Sequence, residues 1–364
     1  MKIQNVIDLI EEKIPLNYAE DFDNVGLLAG NSDMPLKGIL ITHDTLEPVV
    51  DEAIEKNMNL IVSFHPIIFG GLKSLTGKNY VERTIMKAIK HDVAIYAMHT
   101  ALDNQLFGVS GILADKLGLI NRRILIPQSK TLRQLVTYAP VGDAEKVREA
   151  LFKAGAGKIG KYEECSFNVA GTGTFKPVAG AQPYVGKVGK RQYEKEERIS
   201  VIFPKHLQTR ILKALFKHHP YEEVAYEIIE LLNNNQEIGM GVVGELPRSY
   251  DETEYLLLLK EVLNLSCIRH TALRGKPVKK IAILGGSGSF AIEAAKASGA
   301  DIYITADVKY HEFYKAENQI IIADIGHFES EQFTKVFLFE QLTKKIRNFA
   351  VALSKINTNP INYL

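Results

Sequence analysis

Three apolar segments of the chain, each with the character of a buried β-strand, are followed directly by side chains that can bind a metal ion. These side chains are His65, Asp103, His327 and Glu331. Because the carboxyl ends of parallel strands lie along one edge of a sheet, residues far apart in sequence can meet there. Imidazole and carboxylate groups are ligands of zinc, manganese and iron. The sequence therefore predicts a divalent-metal site at a sheet edge.

Strands and helices that could position these residues alternate along both outer parts of the chain. The first part has predicted strands at 39–42, 59–63 and 93–98, with helices at 47–56, 80–90 and 109–117. The pattern resumes near the C-terminus, with strands at 280–284, 301–305 and 320–324 and helices at 289–297, 309–316 and 330–346. This alternation predicts an α/β fold with a mostly parallel sheet in each of two lobes.

The middle of the chain has a different pattern. Residues 129–244 contain two strand–helix–strand halves, which favour an inserted ferredoxin-like α+β domain. The segments at 171–174 and 180–186 are interpreted as surface loops because they are rich in glycine. The predicted outer domain is discontinuous and comprises residues 1–128 and 245–364.

Composition excludes several classes of protein. The net charge of +1 gives no electrostatic case for nucleic-acid binding. The two cysteines, Cys165 and Cys267, form no Cys-x-x-Cys pair, which argues against a thiolate zinc site and fits a reducing cytoplasm. Residues 3–14 have the spacing of an amphipathic helix, so no signal peptide is expected, and no stretch approaches a membrane span.

Six ordered motifs in the outer segments resemble the family of GTP cyclohydrolase I type 2 homologues, also known as NGG-interacting-factor-three-like proteins. The motifs are Asp-Asn-Val-Gly-Leu at 23–27, Ser-Phe-His-Pro-Ile-Ile-Phe at 63–69, His-Thr-Ala-Leu-Asp at 99–103, Gly-Gly-Ser-Gly-Ser at 285–289, Ala-Asp-Val-Lys-Tyr-His at 306–311 and Gly-His-Phe-Glu-Ser-Glu at 326–331. Further matches, including His-Pro-Tyr-Glu-Glu at 219–223, resemble the insert of longer bacterial members.

The resemblance implies a metal pair held between two α/β lobes and a ring-shaped homohexamer, a dimer of trimers. It also implies that the insert is similar in fold to trimeric signalling and cation-tolerance proteins. The family commonly has two adjacent histidines before the proline, whereas this chain has Phe64 and His65. Phenylalanine cannot coordinate, so one metal position loses a ligand. It then binds weakly, retains a water, or recruits His43, Asp44 or His99.

Each candidate ligand also has a purely structural interpretation. Asp103 is expected to ligate or bridge metal, although it could instead cap a helix. His327 and Glu331 are spaced i, i+4, so both point the same way if that turn is helical. The alternative is that Glu331 only stabilises the start of a helix.

The remaining candidates surround the predicted metal. Asp44 is predicted to orient a ligand histidine or to cap a helix, and His99 is predicted to act as a general acid/base or to pack. Substitution of the missing ligand by His43 is not favoured. Anion or substrate binding is predicted for four residues, with tight packing as the alternative for the glycine loop: Gly286, Ser287, Asp307 and His311.

These features support three hypotheses for function. The first is a metal-dependent hydrolase of a nucleotide or phosphoester, with zinc as the expected metal, manganese or iron as alternatives, and one or two ions per chain. The second is a non-enzymatic metal-binding ring that docks partner proteins through the insert. The third is a ring that threads DNA, and the near-zero net charge argues against it.

Overall fold

The computed structural model describes all 364 residues and contains fifteen strands and eleven α-helices. The strands are β1 (Gly26–Ala29), β2 (Gly38–Thr42), β3 (Leu60–Ser63), β4 (Ala94–Ala97), β5 (Ile120–Gln128), β6 (Leu132–Pro140), β7 (Phe167–Phe175), β8 (Gln192–Pro204), β9 (Tyr226–Leu231), β10 (Asn235–Tyr250), β11 (Arg269–His270), β12 (Val278–Ser287), β13 (Ile302–Ala306), β14 (Ile321–Asp324) and β15 (Ala350–Leu353). The helices are α1 (Ile3–Glu11), α2 (Glu47–Glu55), α3 (Tyr80–Lys90), α4 (His99–Asp103), α5 (Val109–Lys116), α6 (Ala144–Lys153), α7 (Gln208–His218), α8 (Glu252–Val262), α9 (Ile292–Ala297), α10 (His327–Glu331) and α11 (Thr334–Lys345).

The chain divides into two compact units. The first comprises Met1–Pro127 and Gln236–Leu364, and the second comprises Gln128–Asn235. The first unit contains two sheets of five and six strands, and four strands form the sheet of the second. None of the helices is both long and apolar enough to cross a membrane.

The five-stranded sheet has the order β1-β4-β3-β2-β15, with every neighbouring pair parallel except β1 and β4. Its central strands are buried on both faces because each face is covered by helices. Ile39 and Ile41 face α1 and α11, whereas Leu40 faces α2 and α3. Burial of each such side chain contributes about 1.5–3 kcal/mol. Because successive side chains point to opposite faces, a shift of the strand by one residue would move each of them to the wrong face, and this fixes the register.

The six-stranded sheet has the order β11-β14-β13-β12-β10-β5. Its centre, β12-β13-β14, is parallel, and the outer pairs β10–β12 and β11–β14 are antiparallel. Ile281 and Ile302 face α5 and α8, whereas Ala282 and Tyr303 face α9. The carboxyl ends of β13 and β14 lead into the segments that carry Asp307 and His327.

In the second unit, the sheet has the order β7-β8-β6-β9 and is antiparallel throughout. The core of this unit is formed with α6 and α7. The prediction that residues 171–174 are a loop is wrong, because Gly171 pairs with Glu196 and Thr174 with Tyr193 inside β7. An edge strand held by backbone pairing leaves its side chains exposed, so the hydrophobic pattern that marks a strand is weak.

Two helix predictions also need correction. The helix predicted at 330–346 is two helices, α10 and α11, and Thr334 Oγ1 donates to the carbonyl of Glu331 at 2.6 Å where they meet. A hydroxyl thereby takes an acceptor that an uninterrupted helix would pair with a backbone amide. The segment predicted as an α-helix at 309–316 is a 3-10 helix, Tyr310–Ala316, which ends at Glu317 with φ of +48°.

Glu52 of α2 anchors the segment that follows β15, and its loss is expected to destabilise the fold. Its carboxylate accepts hydrogen bonds from Ser354 Oγ at 2.5 Å and from the amide of Lys355 at 3.1 Å, and it is 8% exposed. Glu52→Ala leaves both donors unpaired, including the buried hydroxyl of Ser354, so the free energy of unfolding should fall by about 2–3 kcal/mol. Denaturant unfolding measures this change, and Glu55→Ala, at an exposed position of the same helix, should have little effect.

The effect of Glu52 should depend on pH. Burial opposes ionisation, but hydrogen bonds from Lys56 and Ser354 outweigh it and lower the pKa of Glu52 below its usual 4.5. A carboxylate with a depressed pKa stabilises the fold above its unfolded-state pKa, and that stabilisation disappears as the pH falls through the lower folded-state value. The difference between wild type and Glu52→Ala should therefore shrink below about pH 4. A difference that stays constant down to acid unfolding would contradict this.

Candidate metal centre

Glu331, the last residue of α10, lies at the centre of a cluster of imidazoles. Its Oε2 atom is 3.2 Å from Nε2 of His65, 3.2 Å from Nε2 of His327 and 3.4 Å from Nε2 of His43. The side chain is 3% exposed, and none of these contacts has hydrogen-bond geometry, so Oε2 is left without a partner. A buried carboxylate oxygen without a hydrogen bond is strongly disfavoured. Three imidazole nitrogens around it form a donor set that suits a divalent cation.

Three histidines of this region each have Nδ1 within hydrogen-bond distance of a different carboxylate. Nδ1 of His65 lies 2.8 Å from Oδ1 of Asp44, and Nδ1 of His327 lies 2.7 Å from Oδ2 of Asp307. In the same way, Nδ1 of His99 lies 2.9 Å from an oxygen of the Asp23 carboxylate. A carboxylate at Nδ1 fixes the orientation of the ring and makes Nε2 the metal-binding nitrogen, as in many metal sites.

Backbone contacts hold these strand ends together. Ser63 Oγ donates to the carbonyl of His43 at 3.2 Å or to that of His65 at 2.8 Å, which links the ends of β2 and β3. At the end of β14 in the six-stranded sheet, the buried Asp324 accepts hydrogen bonds from the amides of Val308 at 2.9 Å and Gly326 at 3.1 Å. These two bonds bring the segment of Asp307 next to that of His327.

Gly286 leaves the space that Glu331 occupies. A Cβ at this position would lie 2.3 Å from Glu331 Oε1, and φ of Gly286 is +73°. Its amide donates to Ser330 Oγ at 2.8 Å. Close packing against α10 therefore accounts for this glycine, and its amide is already hydrogen-bonded.

Asp103 closes α4 and brings a second carboxylate to the cluster. Its Oδ1 is buried and has no hydrogen-bond partner. Burial and the negative charge of Glu331 raise the pKa of Asp103 well above its usual value, and the nearby His65 and His327 oppose this rise. Two buried carboxylates close enough to influence each other's ionisation need positive charge between them.

In the absence of a metal ion, protons on the imidazoles supply that charge. Burial lowers the pKa of His65, but Asp44 and Glu331 outweigh burial and raise it to about 9. For His327, burial is again outweighed, here by Asp307 and Glu331, and the pKa reaches about 11. Burial of Glu331 opposes its ionisation, but the surrounding imidazoles hold its pKa well below the usual value. A divalent cation would replace these protons.

Two overlapping triads in this cluster have the spacing of metal ligands. In each, one ligand atom per residue lies within 4.8 Å of the others; the triads are His65, His327 and Glu331, and His43, Asp44 and His65. His65 belongs to both. His43 was not favoured from the sequence as a replacement ligand, yet its side chain is 3% exposed and faces Glu331.

Of the remaining predicted residues, His99 and Asp307 contact histidines of this centre, whereas Ser287 and His311 are exposed. His99 stacks edge-on against His65, with 5.2 Å between ring centroids. Ser287 is exposed at the end of β12, and His311 is exposed with its ring against Tyr310 and Tyr314. Asp307, predicted to contact substrate, is hydrogen-bonded to His327.

Two residues that hold the centre were not identified from the sequence. Asp23 binds His99 and also accepts hydrogen bonds from the amide and hydroxyl of Thr100. Burial raises its pKa, but these donors outweigh burial and hold it at about 2. Thr358 donates to Oδ2 of Asp44 at 2.6 Å. Asp23 lies in the first motif of the family resemblance, which was a usable signal, whereas nothing local marks Thr358.

The fold and this cluster define an α/β protein with a candidate metal centre at the carboxyl ends of its strands. The sequence profile of the family Duf34/NIF3 (NGG1p interacting factor 3) matches residues 1–360. The chain belongs to the Duf34/NIF3 family. It is 39% identical to the GTP cyclohydrolase 1 type 2 homolog of Bacillus subtilis, over 99% of this chain and 98% of that one.

Other relatives agree over the whole length. The homolog of the same name from Halalkalibacterium halodurans is 37% identical, and the alignment covers 100% of both chains. The crystal structure of a Bacillus cereus protein related to NIF3 matches with a TM-score of 0.87 and 36% identity, over 100% of this chain and 99% of that chain. The agreement with these relatives therefore includes the middle region of this chain.

Removing the charge of Asp307 tests its role at His327. Asp307→Asn keeps the shape of the side chain and tolerates the φ of +54°, but it removes the negative charge at Nδ1. Metal affinity should fall by roughly 10-fold or more, the effect of losing such a partner. Competition with a chelator measures it. Asp92→Asn, at an exposed residue with the same φ of 54°, should bind as the wild type does.

Proposed function

We propose that this protein binds a divalent metal ion through His65, His327, Glu331 and Asp103 and hydrolyses a nucleotide or another phosphoester. The observation that carries the proposal is the buried Glu331 oxygen faced by three imidazole nitrogens at 3.2–3.4 Å. Its relatives carry the name GTP cyclohydrolase 1 type 2 homolog, which supports a nucleotide-related role.

The side chains fit a metal ion and the chemistry of hydrolysis. A divalent cation bound here would polarise the bond under attack and lower the pKa of a water molecule. Glu331 and Asp103 would provide the negative charge that retains the cation, and Asp44 and Asp307 hold the rings of His65 and His327. His99 is held by Asp23 at Nδ1, so its Nε2 is free to transfer a proton.

A cavity beside His65 has the size and lining for a small substrate. Its volume is about 380 Å³, and its lining includes His65, Asp44 and the apolar side chains of Leu46 and Ile67. Tyr80, which is exposed, lines the same cavity. A lining that combines polar groups with an aromatic ring suits a phosphoester with a planar base.

We infer zinc as the first metal to test, with manganese and iron as alternatives. Histidine nitrogens and carboxylate oxygens are regular zinc ligands, and two histidines with one carboxylate are also an iron-binding set. The two triads that share His65 leave room for one or two ions per chain. The free cysteines, Cys165 and Cys267, fit a cytoplasmic location.

We also infer that the unit Gln128–Asn235 is an inserted domain. Its elements run β6, α6, β7, β8, α7, β9, and its sheet order places the first and third strands in the middle, which is the ferredoxin-like arrangement. The family resemblance makes assembly into a homohexamer, a dimer of trimers, the expected state. Analytical ultracentrifugation of the purified chain measures it.

Activity assays with added metal test the hydrolase. Purified protein would be incubated with nucleoside triphosphates and phosphodiesters in the presence of Zn²⁺, Mn²⁺ or Fe²⁺. Turnover should require metal and should be lost in Asp103→Asn but kept in Lys279→Gln, which changes an exposed residue of β12. Equal turnover by wild type and Asp103→Asn would refute metal catalysis at this centre.

A second candidate function is a metal-binding ring that docks partner proteins. The observation that favours it is the exposed apolar side of the edge strand β7 in the second unit, where Phe167 is 69% exposed and Val169, two residues further along the same face, is 44% exposed. Exposed apolar patches often mark interaction sites. A metabolite extract distinguishes the two functions, since consumption of a small molecule supports the hydrolase. Metal binding without any consumption supports the ring.

A further inference from the structure

His43 and Phe64 occupy equivalent places on neighbouring strands. In the parallel pair of β2 and β3, Thr42 is the partner of Ser63, so the next residues, His43 and Phe64, lie side by side. Their rings stack with 5.4 Å between centroids and 22° between planes. Phe64 is fully buried, His43 is 3% exposed, and only His43 has atoms that can bind a cation.

The imidazole of His43 is aimed at the cluster around Glu331. Its Nε2 lies 3.4 Å from Glu331 Oε2, and its ring centroid lies 4.7 Å from that of His65. Phe64 on one side and Phe328, in edge contact at 5.3 Å, on the other fix the ring in this direction.

A purely structural role explains this histidine poorly. Nδ1 of His43 is buried and has no hydrogen-bond partner. A buried polar atom without a partner costs about 1–3 kcal/mol, and a leucine or phenylalanine between two phenylalanines would avoid that cost. The polar ring therefore needs a compensating interaction at Nε2.

We propose that His43 is a metal ligand of this centre and binds the cation through Nε2 together with Glu331. The stacked Phe64 orients the ring, and the imidazole comes from the end of β2 because position 64, at the end of β3, has none. This inference rests on the proposed metal centre. The experiment must therefore separate a failure of His43 from a failure of the whole site.

Exchanging the two stacked rings provides that separation. The variants are His43→Phe, the double variant His43→Phe/Phe64→His, and His327→Phe as the reference for the centre itself. The double variant returns one imidazole to the same stacked pair and keeps the ring composition constant. Zinc content after dialysis, zinc affinity by chelator competition and the visible absorption of the Co²⁺-loaded protein are measured, with circular dichroism as the check on folding.

The expected result is a loss of zinc affinity of roughly 100-fold or more in His43→Phe, above the 10- to 100-fold loss typical of an outer partner. The Co²⁺ absorption should change as a nitrogen ligand is lost, and the double variant should recover most of the affinity. Recovery shows that the imidazole, and not a packing defect, was responsible.

Three outcomes overturn a claim. Zinc affinity within about threefold of wild type in His43→Phe, with loss in His327→Phe, removes His43 from the ligand set and leaves the centre intact. Loss in His43→Phe without recovery in the double variant assigns the defect to packing and also refutes the inference. Wild-type affinity in His327→Phe refutes the proposed centre itself.

Discussion

Glu331→Gln is expected to weaken divalent-metal binding by at least about 100-fold, because it removes the charge of the group on which three imidazoles converge. Glutamine keeps the size of the side chain, so the effect isolates the loss of the anionic oxygen. The Glu331 carboxylate contacts His43, His65 and His327, so its substitution changes all three contacts together.

Thermal stability provides a second measurement of the same loss. A ligand present at about 1,000 times its dissociation constant stabilises the native state by ~4 kcal/mol, and a 100-fold weaker site at that concentration retains only ~1.4 kcal/mol. The zinc-dependent shift in Tm should therefore shrink by more than half in Glu331→Gln.

Glu329→Gln is the matched control on the same short helix. Glu329 is 9% exposed, and its Oε1 accepts a hydrogen bond from Asn359 at 3.3 Å, outside the imidazole cluster. Its substitution should leave the zinc-dependent shift unchanged. Equal zinc affinities for Glu331→Gln and wild type would show that the cation is held elsewhere.

Gly286→Ala is expected to disturb the centre without touching a ligand. The added Cβ would lie 2.3 Å from Glu331 Oε1, so the carboxylate must move from its position. Metal affinity should fall at least about 10-fold, comparable to the loss of an outer partner. The φ of +73° also disfavours alanine, by roughly 1–2 kcal/mol.

Gly275→Ala separates the two effects. Its φ is +70°, and an added Cβ meets nothing within 4 Å. The two variants should lose similar stability from backbone strain, whereas only Gly286→Ala should lose metal affinity. Isothermal titration with Zn²⁺ and denaturant unfolding measure the two quantities. Parallel losses of metal affinity in both variants would contradict a specific clash with Glu331.

Much of the fold could be predicted from local pattern, because the central parallel strands are continuous apolar runs separated by amphipathic helices. The strands β1, β5, β10, β11 and β15 were not predicted. All except β10 lie at the edges of their sheets, where backbone pairing with a distant strand, and not local pattern, defines them, and β10 is defined in the same way by its antiparallel pairing with β12. β15, for example, pairs with β2, more than 300 residues earlier in the chain.

The candidate site shows the same division between local and distant information. That side chains after β3 and β14 would meet follows from the parallel sheet, and the i, i+4 spacing of His327 and Glu331 follows from helix geometry. The direction of the His43 ring depends on Phe64 and Phe328. The position of the Asp44 carboxylate depends on a hydrogen bond from Thr358. Such contacts between distant residues leave no local signal.

The register of β2 and β3 has a consequence for how such proteins are recognised. His43 and Phe64 follow the paired residues Thr42 and Ser63 and are adjacent. An imidazole and a phenyl ring can therefore be exchanged between the two strands without a change in the backbone. A linear motif that demands histidine at one of these positions would overlook chains in which the other supplies it. Searches by spatial arrangement would find both.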